Sequence, residues 1–203
     1  QWYGQGKIMF ASEHHDGREN MIQQVWDLLD AADIVVTYNG PAFDLKHLAM
    51  EFVQAGMPPP SPHKDVDLLK VARQFAWPSR KLDYVSQVLG IGQKVKHEGM
   101  GLWRGCLEGD DKAWARMRKY NKHDVRLTKE VYDRFGPWIK NHPHMGLWTG
   151  EERCCFRCGS TDLEQRGFAR TAVTVYARLR CRDCGAWSRA NSRKHNTTVR
   201  GVK

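Results

Sequence analysis

The sequence predicts an α/β domain followed by a small cysteine-bounded module, and three observations carry that prediction. Short β-branched runs alternate with amphipathic stretches through the first two thirds of the chain, the pattern of strands and helices sharing one sheet. Five of the six cysteines fall between residues 154 and 184, four of them as two Cys-x-x-Cys pairs. Charge is also uneven: 12 Lys/Arg face 5 Asp/Glu after Gly150, against 20 facing 18 before it, in a chain of net charge +9. At 203 residues and 41% hydrophobic content, there is material for one ordinary core and one small one. No stretch approaches the ~18 apolar residues of a membrane span, and no signal-peptide pattern is visible, so no membrane partner is expected.

Taken in order, residues 6–12 (GKIMFAS) read as a strand and HHDGREN as a polar turn. Residues 19–32 place Met21, Ile22, Val25, Trp26, Leu28 and Leu29 at helical spacing. The apolar run at 33–38 has the continuity of a buried parallel strand. Helix returns over 44–55, with Leu45, Leu48, Ala49, Phe52 and Val53 on one face and Gly56 as a stop. After MPPPSP breaks the chain, KDVDLLKVARQFA reads as a short strand entering a helix. SRKLDYVSQVLG reads as a further helix capped by Ser79, with Gly90 beyond its end. IGQKVKHEGMGLWRG reads as a Gly- and Lys-rich loop, and Asp110/Asp111 open a long helix to about Phe135. The expected organisation is a domain over 1–137, a linker over 138–149, a cysteine module over 150–190 and a basic tail over 191–203.

On the long helix, Trp114, Met117, Tyr120, Asp124, Leu127, Val131 and Phe135 follow steps of three or four and form one stripe. A carboxylate on such a stripe is costly unless hydrogen-bonded, neutralised or coordinated. Tyr120 and Asp124, at i and i+4, project together. A Tyr–Asp hydrogen bond at the core edge satisfies the pattern, and so does a metal ligand. Asp44, where the strand at 33–38 empties through Tyr38-Asn39-Gly40-Pro41 into a helix, serves equally as a helix-dipole partner or a ligand.

Asn39-Gly40-Pro41-Ala42-Phe43-Asp44 and Tyr120-x-x-x-Asp124 together resemble the second and third motifs of the DEDD exonucleases, in the DnaQ-like, ribonuclease H-like superfamily. The histidine branch of that family carries His five positions before the last acid; here that residue is Lys119, so the resemblance is to the tyrosine (DEDDy) branch. It covers roughly residues 7–135, and with the cysteine module the arrangement looks most like phage or bacterial proteins of this type. The resemblance implies a ribonuclease H-like mixed sheet flanked by helices and a 3′–5′ exonuclease. Asp44 and Asp124 would hold Mg²⁺ or Mn²⁺ in a two-metal site, Tyr120 would orient the attacking water, and Asn39 and Phe43 would shape the site and its contact with the strand. It also implies the cytoplasm of a bacterial or phage-infected cell.

The family's remaining two acids come from an Asp-x-Glu on its first strand. The sole Asp-x-Glu here, Asp162-Leu163-Glu164, lies between the cysteine pairs. Either the chain is a C-terminal piece of a longer protein, which its non-Met first residue favours, or it is a degenerate member that binds without cutting. On both accounts the chain alone is expected to be a weak or inactive nuclease. The rival functions are a nucleic-acid-binding adaptor and a ribonuclease H-like endonuclease.

Cys155-x-x-Cys158 and Cys181-x-x-Cys184 have the count and spacing of a four-cysteine structural zinc site, each pair ending in the Cys-Gly of a zinc-ribbon knuckle. Cys154 is an alternative ligand to Cys155, and Cys106 reads as a small, part-buried residue. TAVTVYARLRC supplies a strand into the second knuckle. Arg178, Arg180, Arg182 and Trp187, amid further arginines and Tyr176, suit a nucleic-acid strand, DNA before RNA; the same residues also suit a small core kept soluble by charge. His14, His15, His142 and His144 read as solvent-facing, His123 as an exposed helix position and His97 as a surface-loop residue.

Overall fold

The structure, a computed structural model, describes residues 1–95 and 99–201. The chain forms two compact units, Gln1–Arg134 and Phe135–Lys203.

The first unit runs α1 (Glu13–Asp16), α2 (Arg18–Asp30), β1 (Ile34–Thr37), a 3₁₀ turn (Gly40–Ala42), α3 (Asp44–Gln54), β2 (Lys64–Asp67), α4 (Leu68–Ala72), α5 (Leu82–Val88), α6 (Met100–Leu107) and α7 (Asp111–Phe135). β1 and β2 pair in parallel, from Ile34 opposite Lys64 to Thr37 opposite Asp67, with α3 crossing between them. Both strands therefore end at one edge, where β1 feeds the turn before α3 and β2 feeds α4. Ligand sites of open α/β sheets gather at the carboxyl ends of strands.

The sheet differs from the expected mixed one. Among the described residues it is two-stranded and wholly parallel, and residues 6–12 form no strand. A strand exists only through a ladder partner, and β-rich composition without one gives irregular chain. All four residues of β1 are only half-buried, although the run is as apolar as a central strand. On α3, Phe52 is buried, whereas Val53 is 76% exposed, so the expected apolar face is narrower than its spacing implied.

α6 occupies the segment expected as a loop. Leu102 and Cys106 are buried with Ala113 and Met117 of α7, and Trp114 and Tyr120 pack against them. The Trp114 indole N–H donates to the Cys106 carbonyl at 3.0 Å. Gly105 explains the misreading: a Cβ there would stand 2.8 Å from the Ala113 Cβ. The glycine that weakens the helical signal is what lets the two helices approach. α5 begins at Leu82 rather than at Ser79, whose hydroxyl accepts the Lys81 N–H at 3.4 Å ahead of the helix. α7 matches its expected span and stripe, with Met117, Leu127, Val131 and Phe135 buried. Among the described residues, no helix is long and apolar enough to cross a membrane.

The second unit contains a 3₁₀ turn (Gly136–Trp138), α8 (Gly146–Thr149) and the antiparallel strands β3 (Leu163–Arg170), β4 (Thr174–Cys181) and β5 (Trp187–Asn196), in that order across the sheet. Residues 138–149, expected as a linker, are folded into it. Ile139 and His142 are buried, and the Met145 N–H donates to the Phe156 carbonyl at 2.9 Å. Residues 191–196, expected in a tail, complete β5, with Asn196 opposite Thr174.

Candidate functional site

The turn after β1 is built by its own residues. Asn39 has φ 73°, and it alone among the described non-glycine residues is left-handed, a conformation that asparagine tolerates better than most. Gly40 then passes so close to β1 that a Cβ would stand 2.5 Å from a Thr37 methyl, and its N–H donates to the Thr37 hydroxyl at 3.2 Å. Pro41 follows in the 3₁₀ turn, and Asp44 emerges, exposed, in the first turn of α3.

Asp67, at the end of β2, fixes this turn from beside it. Its Oδ1 accepts the Asn39 N–H at 2.8 Å and the Leu69 N–H at 3.0 Å, so one buried carboxylate caps α4 and holds the β1 turn. The Tyr38 hydroxyl donates to the Arg80 carbonyl at 2.5 Å. Burial, reinforced by the Asp67 charge, pushes the Tyr38 pKa up to about 12.

On α7, the structure brings Tyr120 and Asp124 together through a third residue. The Lys94 ammonium donates to Asp124 Oδ2 at 2.5 Å and to the Tyr120 hydroxyl at 3.1 Å. Burial works against the charged ammonium, but hydrogen bonds and charge from Asp124 and Tyr120 outweigh it and hold the Lys94 pKa above its ordinary value. The other oxygen of Asp124, Oδ1, is buried and has no hydrogen-bond partner among the described residues. A bare, buried carboxylate oxygen fits a cation, so Asp124 suits the Mg²⁺ or Mn²⁺ that the sequence resemblance implies. Among the described residues, no three acids or histidines close around Asp124 or Asp44 as a cation cage.

The cysteines form the complete donor set. The Sγ atoms of Cys155, Cys158, Cys181 and Cys184 all lie within 4.8 Å of one another, with Cys155–Cys184 at 3.5 Å and Cys158–Cys181 at 3.7 Å. These separations exclude disulfides and sit near the ~3.8 Å edge of a tetrahedron with Zn–S bonds of 2.3 Å. Each knuckle closes with a glycine N–H on a cysteine carbonyl, Gly159 on Cys155 and Gly185 on Cys181, both glycines left-handed. Burial foremost pushes the Cys158 thiol up to about 11, whereas at Cys181 burial is outweighed by hydrogen bonds from the Cys184 and Asp183 backbone, which lower it, so the four thiols are not alike before a cation binds. Cys154 lies outside this four-sulfur group. Its thiol turns away to the Glu151 carbonyl at 3.3 Å.

Around the cluster, the sheet carries a ladder of cations on rings. The Arg178 and Arg180 guanidiniums lie 5.2 and 6.0 Å from the Trp187 ring, and Arg189 lies 4.1 Å from that of Tyr176. Cross-strand register puts them on one face, with Arg180 opposite Trp187 and Arg178 opposite Arg189. Arg182 instead stands 3.6 Å from Asp162 and 4.0 Å from Glu164, an acid-facing position rather than a member of the ladder.

Several residues acquire roles that the sequence alone did not assign. Lys94 and Asp67 are missed because their partners are distant in the chain; the Lys-rich loop and the KDVD stretch were their only signals. His14 is exposed as expected, and its ring also stacks on Trp114 at 5.3 Å, with Nε2 2.8 Å from Asp111. His123 pairs with the Gln93 carbonyl at 2.8 Å. His97 lies outside the described residues. Among known families, a model of RNase_H_2, in the RNase_H superfamily, matches residues 2–136. No curated protein matches the chain.

Proposed function

The chain belongs to the RNase H superfamily through residues 2–136, and from that premise we propose that it is a metal-dependent nuclease of DnaQ-like, DEDDy type, working from 3′ ends. The observation that carries this is the buried Oδ1 of Asp124 beside Tyr120, without a hydrogen-bond partner among the described residues and inside the matched span. Divalent ions supply an activated water and stabilisation of the leaving oxygen in phosphodiester hydrolysis. Asp124 and Asp44 are the residues that would hold them. The Tyr120 hydroxyl would orient the water, and the turn from Asn39 to Phe43 would set the position of Asp44 at the mouth of the sheet. With no Asp-x-Glu in this unit, two carboxylates carry the load, and turnover by this chain is slow.

In the second unit, the four cysteines would hold a structural zinc as a zinc ribbon. The Arg178–Arg180–Trp187 face, extended by Arg189 and Tyr176, would grip nucleic acid, DNA before RNA, through phosphate pairing and base stacking. Six free cysteines suit a reducing compartment such as the cytoplasm of a bacterial or phage-infected cell. A second reading, a scaffold that binds without cutting, is favoured by the lack of an acid cage among the described residues and by the lysine on Asp124.

The test is degradation of a 5′-labelled single strand and of a single-stranded circle in Mg²⁺ or Mn²⁺, by the wild type and by Asp124→Asn. The expected outcome is slow shortening of the linear strand from its 3′ end, an intact circle, and no cutting by the variant. Opening of the circle identifies an endonuclease. Binding of both substrates with cutting of neither identifies the scaffold.

A further inference from the structure

Lys94 is held in place from several directions. Its backbone N–H donates to Asp83 Oδ1 of α5 at 2.7 Å, and the carbonyl of the preceding Gln93 meets His123 of α7. Its stem crosses the Tyr120 ring, the ammonium 5.2 Å from the ring centroid, and ends on Asp124 Oδ2. The Lys94 side chain is 31% exposed and that of Asp124 is 21% exposed. Such a pair is screened far less than one in open solvent.

The arrangement is asymmetric in a way that a purely structural ion pair does not require. The carboxylate spends one oxygen on the lysine and keeps the other buried with no donor among the described residues. A tightly built structural pair satisfies both oxygens, because leaving one bare in low dielectric is costly. A site that must later accept a divalent ion has the opposite need: a positive charge that offsets the partly buried carboxylate meanwhile, but on a flexible stem that can leave. Lysine suits that need, being a compact ammonium on four rotatable carbons rather than the two-pronged fork of arginine.

We infer that Lys94 is the resident counter-cation of the Asp124 site, holding the carboxylate until a divalent ion displaces it. Lys94 is thus a positioning residue that competes with the metal. This rests on the assignment of Asp124 as a metal ligand. The consequence is that metal affinity is set below what the carboxylates alone would give, and that removing the lysine raises it. A structural role for Lys94 gives the opposite sign, because loosening the segment that spans α5 and α7 would weaken the ion.

The experiment is Mn²⁺ binding to the full, zinc-loaded chain, followed by the loss of the free-ion electron paramagnetic resonance signal, for the wild type, Lys94→Met, Lys94→Arg and Asp124→Asn. Mn²⁺ prefers oxygen ligands and leaves the thiolates to zinc. Lys94→Met is expected to bind Mn²⁺ about tenfold more tightly, from loss of the competing charge at close range. Its melting temperature should be lower without the ion and rise more than that of the wild type on adding it, which also registers folding. Lys94→Arg, keeping the charge, should bind no more tightly than the wild type. Equal or weaker Mn²⁺ binding by Lys94→Met, with binding still abolished in Asp124→Asn, overturns the inference alone. Unchanged binding in Asp124→Asn, or no binding by any variant, overturns the ligand assignment and the inference with it.

Discussion

At the scale of single residues, the turn after β1 shows how little freedom the candidate site has. Gly40 is there because Thr37 leaves no room, so Gly40→Ala should destabilise the first unit by about 1–3 kcal/mol, the usual cost of forced overpacking, as read from denaturant midpoints. Asn39 supports a left-handed backbone, so Asn39→Gly should fold normally and Asn39→Val should lose about 1–2 kcal/mol. Tyr38 predicts a pH effect. Its folded pKa of about 12 exceeds the unfolded value near 10, so the neutral phenol is favoured by the fold. Between those values the unfolded chain has released a proton that the folded chain keeps, and stability falls as pH rises. Its contribution is whole below pH 10 and lost by about pH 12, and Tyr38→Phe should flatten that part of the stability profile. The motif residues Asn39, Asp44, Tyr120 and Asp124 were legible because their spacing is local. Lys94 was not, since its partners Tyr120 and Asp124 lie 26 and 30 positions away.

At the scale of elements, what could be read depended on whether an element declares itself alone. α7 does, through an apolar stripe sustained over 25 residues. α6 does not, because Gly101 and Gly105 suppress helix propensity while Gly105 buys the close approach to Ala113. Residues 6–12 carry strand-like composition yet form no strand beside the unshared ladder of β1 and β2. β5 was half missed for the converse reason: SRANSRKHN is polar, and its pairing with β4 overrides its composition. The cysteine knuckles predict a dependence of these strands on metal. In so small a module, structural zinc supplies ~10–16 kcal/mol of apparent binding energy. Chelation should therefore remove one zinc per chain and melt β3–β5, seen as loss of dispersed strand amide signals, while the helical signals of the first unit persist. Melting of both units together would show that their stabilities are coupled.

At the scale of the whole molecule, the chain comprises two compact units of different character. The first belongs to the RNase H superfamily and presents two motif acids from separate elements, Asp44 after β1 and Asp124 on α7. The second presents a metal-ready cysteine cluster and a ladder of arginines on rings. The α/β class and the cysteine module were visible in the sequence because alternation and Cys-x-x-Cys spacing are local patterns. The extent of the sheet was not, because strand neighbours are long-range facts.

The proposed nuclease site requires that Asp44 and Asp124 share a divalent ion. The most direct measurement is paramagnetic broadening of backbone amide resonances on titrating Mn²⁺ into the zinc-loaded chain. Amides of residues 39–45 and 120–127 should broaden together at the lowest Mn²⁺, and both sets should be spared in Asp124→Asn. Broadening confined to one segment, or spread over exposed acids elsewhere and unchanged in Asp124→Asn, would contradict it.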